Sequence, residues 1–139
     1  MNAMDAAIAH DLELAAHGGA EGIRDQGMLE FALAKPKNIW AYSESQPSLC
    51  RLAASYAFGI SSNHPFVDGN KRTALVVSFG FLDVNGFEVM ASPEDAYLTI
   101  LSLAAGELTE EQLEQWFEKN TEQRYEFDGI WVVLVYCFE

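Results

Sequence analysis

The side chains best suited to chemistry lie in one short stretch, residues 61–73, which reads SSNHPFVDGNKRT. It combines the imidazole of His64, the carboxylate of Asp68 and the adjacent cations Lys71 and Arg72 around one proline and one glycine. The chain has only 8 Lys and Arg residues against 21 Asp and Glu residues, so two neighbouring cations are an exception in it. An anion site in so acidic a chain must be built from specific donors, and this stretch supplies them.

The second half of the stretch is suited to binding phosphate if Asn70 opens a helix. The first backbone N–H groups of a helix have no acceptor within it and lie at the positive end of its dipole. Gly69 lets an anion approach the backbone closely. Lys71 and Arg72 add positive charge, and a guanidinium can bind phosphate through two hydrogen bonds. The pattern predicts phosphate binding by Gly69, Asn70, Lys71 and Arg72.

The first half of the stretch could supply a metal ligand and a base. Asp68 would repel a bare phosphate, but it suits a Mg²⁺ ion lying between its carboxylate and phosphate oxygens. An imidazole at His64 can accept a proton from a hydroxyl nucleophile near neutral pH. Phe66 is suited to anchoring the loop in the core. Together these residue types predict transfer of a phosphate-containing group.

Each of these residues also has a purely structural interpretation. A histidine in a turn, such as His64, is more often structural than catalytic. Asp68 or Asn70 could be an ordinary helix N-cap. Lys71 and Arg72 could be an exposed pair. The residue types alone leave both interpretations open.

Composition limits the class of protein. A chain of 139 residues, half of them hydrophobic, is long enough for one domain with its own core. Its net charge of −13 disfavours direct binding to nucleic acid. No basic leader and no apolar run of about 20 residues is present, so we expect a cytoplasmic protein without a membrane span. Cys50 and Cys137 are expected to be thiols, with a disulfide as the alternative, and His10 and His17 are expected at the surface.

Apolar spacing, caps and helix breakers predict a series of helices. In chain order, the predicted helices cover residues 3–16, 27–34, 49–60, about 70–85, a segment from 93, and 110 to about 120. Ile8, Leu12 and Ala15 share one face of the first helix. Pro36 is expected to end the second helix, because proline cannot donate to the helical ladder. N-caps are expected at Ser48, Ser92 and Thr109.

The helix at about residues 70–85 is expected to be central, because it is apolar nearly all round. Its predicted buried side carries Leu75, Val76, Phe79 and Leu82. The predicted fold is therefore all-α, a compact single-domain helical bundle around this helix.

Two later regions differ in composition. Residues 88–122 hold nine acids and one lysine, and nine negative charges with one positive give a net charge of −8. We expect a solvated helix face there, and a surface for a basic partner is the alternative. Residues 1–123 are assigned to the helical domain. Residues 124–139 form an apolar C-terminal tail of unknown role, and its β-branched and aromatic run predicts β-like structure.

Residues 64–72, HPFVDGNKR, resemble the signature of the Fic/Doc superfamily, specifically its Doc (death-on-curing) toxin branch. Doc proteins show His-x-Phe-x-Asp/Glu-Ala/Gly-Asn-Lys-Arg. Fic enzymes have a second glycine where this chain has Lys71 and a second arginine where it has Leu75. Residues 17–36 are also similar to the first part of Doc proteins, and the resemblance covers roughly residues 3–120.

The resemblance implies an all-α domain that uses ATP and Mg²⁺. It implies a protein kinase that transfers the γ-phosphate of ATP to a threonine of elongation factor Tu, a translation factor, and so arrests translation and growth. His64 would then be the general base and Asp68 the Mg²⁺ ligand. Asn70, Lys71 and Arg72 would position the phosphates.

The resemblance also implies a partner, a Phd-like antitoxin whose C-terminal segment binds in a groove on the toxin. The self-inhibitory Fic motif, Ser/Thr-x-x-x-Glu, does not occur in this sequence, so inhibition is expected from a separate chain. Two alternatives stay open. One is a Fic-like nucleotidyltransferase that attaches AMP to a protein hydroxyl, and the other is a non-catalytic toxin-fold protein that only binds a partner.

Overall fold

A computed structural model describes residues 1–124 of the chain, which form six helices and one small two-stranded sheet. The elements are α1 (Ala3–His17), α2 (Gln26–Tyr42), α3 (Leu49–Asn63), α4 (Asn70–Val84), β1 (Phe87–Val89), α5 (Pro93–Ala104), α6 (Glu110–Asn120) and β2 (Thr121–Gln123). The predicted all-α class is confirmed, and the antiparallel β1–β2 pair is the addition to it. The predicted β-like tail, apart from Arg124, and Cys137 lie outside the described residues.

Local hydrogen bonds define where the helices begin. The predicted caps at Ser48, Ser92 and Thr109 are confirmed, because each side chain accepts from the backbone N–H three residues later. Thr109 and Gln112 form the full capping box. Asn2 and Asp25 cap α1 and α2 in the same manner.

The core lies where α3 and α4 pack together, with α2, α5 and α6 around α3 and α1 against α4. The largest fully buried side chains there include Tyr56 and Phe81, whose rings lie 5.2 Å apart between centroids. None of the helices in the part of the chain described is long and apolar enough to cross a membrane.

The prediction that Pro36 ends the second helix is wrong. α2 continues through this residue to Tyr42, and Pro36 is buried on the side that faces the core. A proline inside a helix costs about 3 kcal/mol, since one backbone bond is lost. Burial of neighbouring side chains such as Leu29 and Leu33 offsets that loss. Tertiary packing therefore overrides the local breaker.

The predicted buried side of α4 is also wrong in part, and the apolar face of α1 lies toward solvent. Ile8 and Leu12 are 53% and 66% exposed, while the buried side of α1 carries Ala6 and His10. In α4 the buried side is centred on Val77 and Phe81. Of the four side chains predicted to be buried there, Leu82 is buried, and Leu75, Val76 and Phe79 are half-buried. Helices rich in apolar residues on several sides can be oriented in more than one way, and only contact with neighbouring helices selects one.

Candidate active site at the start of α4

The loop between α3 and α4 brings the predicted site residues together. They line one cavity of about 230 Å³, to which a neighbouring loop residue and a tyrosine of α5 also contribute. Its lining residues are His64, Val67, Asp68, Gly69, Asn70, Lys71, Arg72 and Tyr97. The candidate base, the candidate metal ligand and both cations therefore share one small polar space.

His64 lies at the C-terminal end of α3 in the left-handed backbone region, with φ of 47° and ψ of 57°. Among the residues that the structure describes, it is the one non-glycine residue with positive φ. Such a conformation persists only where surrounding contacts enforce it. The Arg24 side chain supplies two of these contacts, because its Nε donates to the His64 carbonyl at 2.6 Å and its Nη2 to the Asn63 carbonyl at 2.8 Å.

A strap, residues 18–25 between α1 and α2, lies along the site loop. The N–H groups of Arg24 and Asp25 both donate to the Pro65 carbonyl, at 2.7 and 3.0 Å. The Val67 N–H donates to the Gly22 carbonyl at 3.0 Å. These bonds pair the strap with the loop in antiparallel fashion and hold the loop from a segment distant in sequence.

Asp68 is held as an ionised carboxylate. Its Oδ1 accepts from the Gly69 N–H at 2.8 Å and its Oδ2 from the Ala20 N–H at 3.3 Å. These backbone bonds, and more weakly the charge of Arg72, lower the pKa of the Asp68 carboxyl. A carboxylate offers about four acceptor positions, so both oxygens can still bind a cation.

The chemistry of Asp68 fits Mg²⁺ bound together with phosphate. Within residues 1–124 no group of three His, Cys, Asp or Glu side chains could hold a metal ion. Mg²⁺ commonly uses only one or two carboxylates, with waters and substrate phosphates as its other ligands. Asp68 could supply the one carboxylate, and phosphate oxygens bound by Lys71 and Arg72 in the same cavity could supply further ligands.

The N-terminus of α4 is open toward the cavity. Its N-cap is Gly69, which has no side chain to cap the helix. The first backbone bond in the helix runs from the Thr73 N–H to the Gly69 carbonyl at 3.0 Å. The N–H groups of Asn70, Lys71 and Arg72 therefore have no acceptor within the helix and can bind an anion.

The side chain of Asn70 has a different use from the predicted one. Its Oδ1 accepts from the Phe66 N–H at 2.9 Å, and its Nδ2 donates to the Phe66 carbonyl at 3.0 Å. This pair of bonds closes the loop on itself. Phe66 is fully buried, as an anchor should be. What Asn70 can offer a phosphate is its backbone N–H.

Sequence reasoning missed three residues of the site: Arg24, Tyr97 and His10. Tyr97 lines the cavity, and its ring centroid lies 5.8 Å from the Arg72 guanidinium carbon. The surface position expected for His10 is wrong, because it is 2% exposed and its Nε2 lies 2.6 Å from the Asp68 carbonyl. His10 lies four residues after the buried Ala6 on the same face of α1, but the apolar spacing in the sequence marks a different face.

Two further cavities adjoin the polar one. A cavity of about 580 Å³, the α1–α4–α5 groove, shares Arg72 and Tyr97 with it. The apolar side chains of this groove include Leu75, Val76 and Phe79, which explains why these are only half-buried. The groove also includes His17, whose predicted surface position is confirmed by its 50% exposure.

On the other side, a cavity of about 420 Å³ shares His64 and Lys71 with the polar one. Its remaining lining comes from the second half of α5 and the residues just after it, including Leu98, Leu101 and Ser102. The polar cavity is thus flanked by one space next to Arg72 and another next to His64.

Comparison with known proteins gives the family. Residues 3–82 match the family model described as Fic/DOC family. The chain is 37% identical over 100 residues to "Protein kinase doc" of Escherichia phage P1, covering 72% of this chain and 78% of that protein. It is 38% identical over 76 residues to "Toxin Doc" of Mycolicibacterium smegmatis (strain ATCC 700084 / mc(2)155), covering 55% of this chain and 58% of that protein. The chain therefore belongs to the Fic/DOC family.

Proposed function

We propose that this chain is a Doc-like toxin that acts as a protein kinase in the cytoplasm. It transfers phosphate from ATP to a threonine hydroxyl of a translation factor and so arrests translation. Elongation factor Tu is the target that the resemblance to Doc toxins implies. The observation that carries the proposal is that His64, Asp68, Lys71 and Arg72 line one cavity at the open end of α4. The relative named as a protein kinase agrees with it.

The first turn of α4 would bind the transferred phosphate. Its N–H groups and the side chains of Lys71 and Arg72 provide donors and positive charge for the phosphate oxygens. Asp68 would hold Mg²⁺, which neutralises charge on the phosphate oxygens during transfer. Fixed hydrogen-bond donors and charges of this kind usually make the largest contribution to the rate enhancement of an enzyme.

His64 would act as the general base. It accepts the proton of the threonine hydroxyl while that oxygen forms a bond to the γ-phosphorus. The bond from the γ-phosphorus to the bridging oxygen breaks, and ADP leaves with the bond electrons. A positioned base contributes roughly 10²–10⁴ in rate. The target hydroxyl would approach through the cavity of about 420 Å³ that His64 and Lys71 help to line.

Lys71 and Leu75 favour phosphate transfer over AMP transfer. Lys71 adds bulk and charge where Fic enzymes have a glycine, so a triphosphate must bind differently. Leu75 stands where they have a phosphate-binding arginine, and it lines the apolar α1–α4–α5 groove. A triphosphate chain along this groove would lack that cation.

A Phd-like antitoxin would be the partner, in line with the relative named Toxin Doc. Its C-terminal segment would occupy the α1–α4–α5 groove, whose apolar side chains suit a partner helix. Because the groove shares Arg72 and Tyr97 with the polar cavity, a bound segment would also restrict access to the phosphate site.

Mass spectrometry of elongation factor Tu tests the proposed function. The purified protein is incubated with the factor, ATP and Mg²⁺, and the modified residue is mapped. We expect one phosphoryl group on a threonine, and none with His64→Ala, whose thermal midpoint should match that of the wild type. Attachment of AMP would overturn the kinase assignment. If expression of the His64→Ala variant still arrested growth, the result would favour the alternative of a non-catalytic protein that only binds a partner.

A further inference from the structure

His10 is a buried titratable residue to which the proposed reaction assigns no role. It lies in α1, 58 positions before Asp68 in the sequence, and is only 2% exposed. Its Nε2 lies 2.6 Å from the Asp68 carbonyl oxygen. Because a carbonyl oxygen can only accept, the hydrogen is on Nε2, which donates. The other ring nitrogen is 3.7 Å from a carboxylate oxygen of Asp11, beyond hydrogen-bond distance.

The ring of His10 also makes two packing contacts with the loop. It stacks on Phe66 with 4.0 Å between centroids and an interplanar angle of 7°. A Cβ atom added at Gly69 would lie 3.5 Å from its Cδ2 and Nε2 atoms, so the backbone of Gly69 approaches the ring closely. The His10 side chain thus packs against Phe66, is hydrogen-bonded to Asp68 and lies close to Gly69, the N-cap of α4.

These contacts fix the orientation of the peptide unit between Asp68 and Gly69. Its carbonyl accepts from His10, and its N–H donates to Oδ1 of Asp68 at 2.8 Å. Rotation of this unit would move the Asp68 carboxylate and the start of α4 at the same time. A functional site tolerates displacements of only about 0.5 Å, so the unit must be held.

We propose that His10 is a positioning residue for the phosphate-transfer site. By donating to the Asp68 carbonyl, it holds the 68–69 peptide unit so that the Asp68 carboxylate and the N–H groups of α4 face the same cavity. This inference rests on the proposed function for its effect on rate, but its effect on the loop can be measured without any reaction.

Two substitutions separate the hydrogen bond from the packing. His10→Gln places an amide N–H near the position of Nε2 and keeps the donor. His10→Phe keeps a flat ring against Phe66 and removes the donor. Leu29→Ala, in the fully buried core of α2, is the control for a general loss of stability.

Hydrogen exchange at the Gly69 amide and phosphate-transfer kinetics are measured for each variant. With His10→Phe we expect faster exchange at Gly69, a fall in kcat/KM of about 10–100-fold, and a higher Mg²⁺ concentration for half-maximal rate. With His10→Gln we expect exchange and rate close to the wild type. With Leu29→Ala we expect a lower thermal midpoint without a selective change at Gly69.

Unchanged exchange at Gly69 in His10→Phe would overturn the inference, and so would equal losses in His10→Gln and His10→Phe. Equally fast exchange in Leu29→Ala would assign the effect to global stability and overturn it as well. If exchange changes as expected while the wild type transfers no phosphate, the proposed function fails and the positioning role of His10 stands.

Discussion

At the scale of single residues, Asp68 and Cys50 have pKa values displaced in opposite directions. Backbone N–H donors lower the pKa of Asp68, so its contribution to stability is complete above the unfolded value of 3.8 and is lost as pH falls through the lower folded value. Asp68 is therefore ionised at neutral pH. Burial, and secondarily the charges of Glu118 and Glu114, raises the pKa of the Cys50 thiol to about 11.

Cys50 should consequently react slowly with alkylating agents in the folded protein. At pH 8 its thiolate fraction is lower by about 100-fold than that of a thiol with the ordinary pKa of 9.0. Iodoacetamide labelling, followed by mass spectrometry of the peptide that contains Cys50, measures the rate. The same chain in urea is the control and should react far faster. Equal rates in the two conditions would contradict a raised pKa.

At the scale of elements, the crossing of α2 and α3 determines where the strap and the site loop meet. The strap leads into α2, and α3 ends at Asn63, immediately before His64. At the crossing, a Cβ on Gly59 would lie 2.9 Å from the Cβ of Ala32 and 3.1 Å from its Cα. Glycine is needed there because the two helices approach too closely for any side chain.

Gly59→Ala should therefore destabilise the fold although alanine is the better helix former. We expect a loss of about 1–3 kcal/mol in the free energy of unfolding, typical of overpacking. Gly80→Ala in α4 is the matched control, because nothing lies within 4 Å of its added Cβ. It should gain about 0.5–1 kcal/mol. Urea unfolding measures both, and a Gly59→Ala variant as stable as Gly80→Ala would refute the close crossing.

At the scale of the whole molecule, Glu110 joins α6 to the helices that carry the site. Its carboxylate contacts Lys35 of α2 at 3.3 Å and is hydrogen-bonded to Arg51 of α3. Glu110 is 8% exposed, whereas most other acids of residues 88–122 are exposed. The prediction of a solvated face is thus wrong for Glu110, because its carboxylate pairs with Lys35 of α2 and Arg51 of α3.

Glu110→Gln should weaken the packing of α6 without altering the site. We expect a loss of about 1–2 kcal/mol in the free energy of unfolding, since the partly exposed partners moderate the effect. Urea unfolding at low and high salt measures it, and the difference should shrink at high salt. Glu111→Gln, an exposed neighbour, is the control and should change stability by less than about 0.5 kcal/mol. A larger change in the control would contradict a specific role for Glu110.

The sequence by itself determined the features that depend on near neighbours. The caps at Ser48, Ser92 and Thr109 could be predicted because each bond joins residues three positions apart. The grouping of His64 with Arg72 could be predicted because one loop and one helical turn carry the whole motif.

Only the tertiary structure decided which distant side chains complete the site. His10 and Arg24 reach the loop across 58 and 40 positions of sequence, and Tyr97 comes from α5. The extension of α2 through Pro36 and the faces of α1 and α4 were likewise decided by packing. The reason is physical: hydrogen bonds within one turn are specified by local residue order. The partners of a buried ring or guanidinium depend on which helices meet. The same local sequence pattern is compatible with many ways of packing the helices.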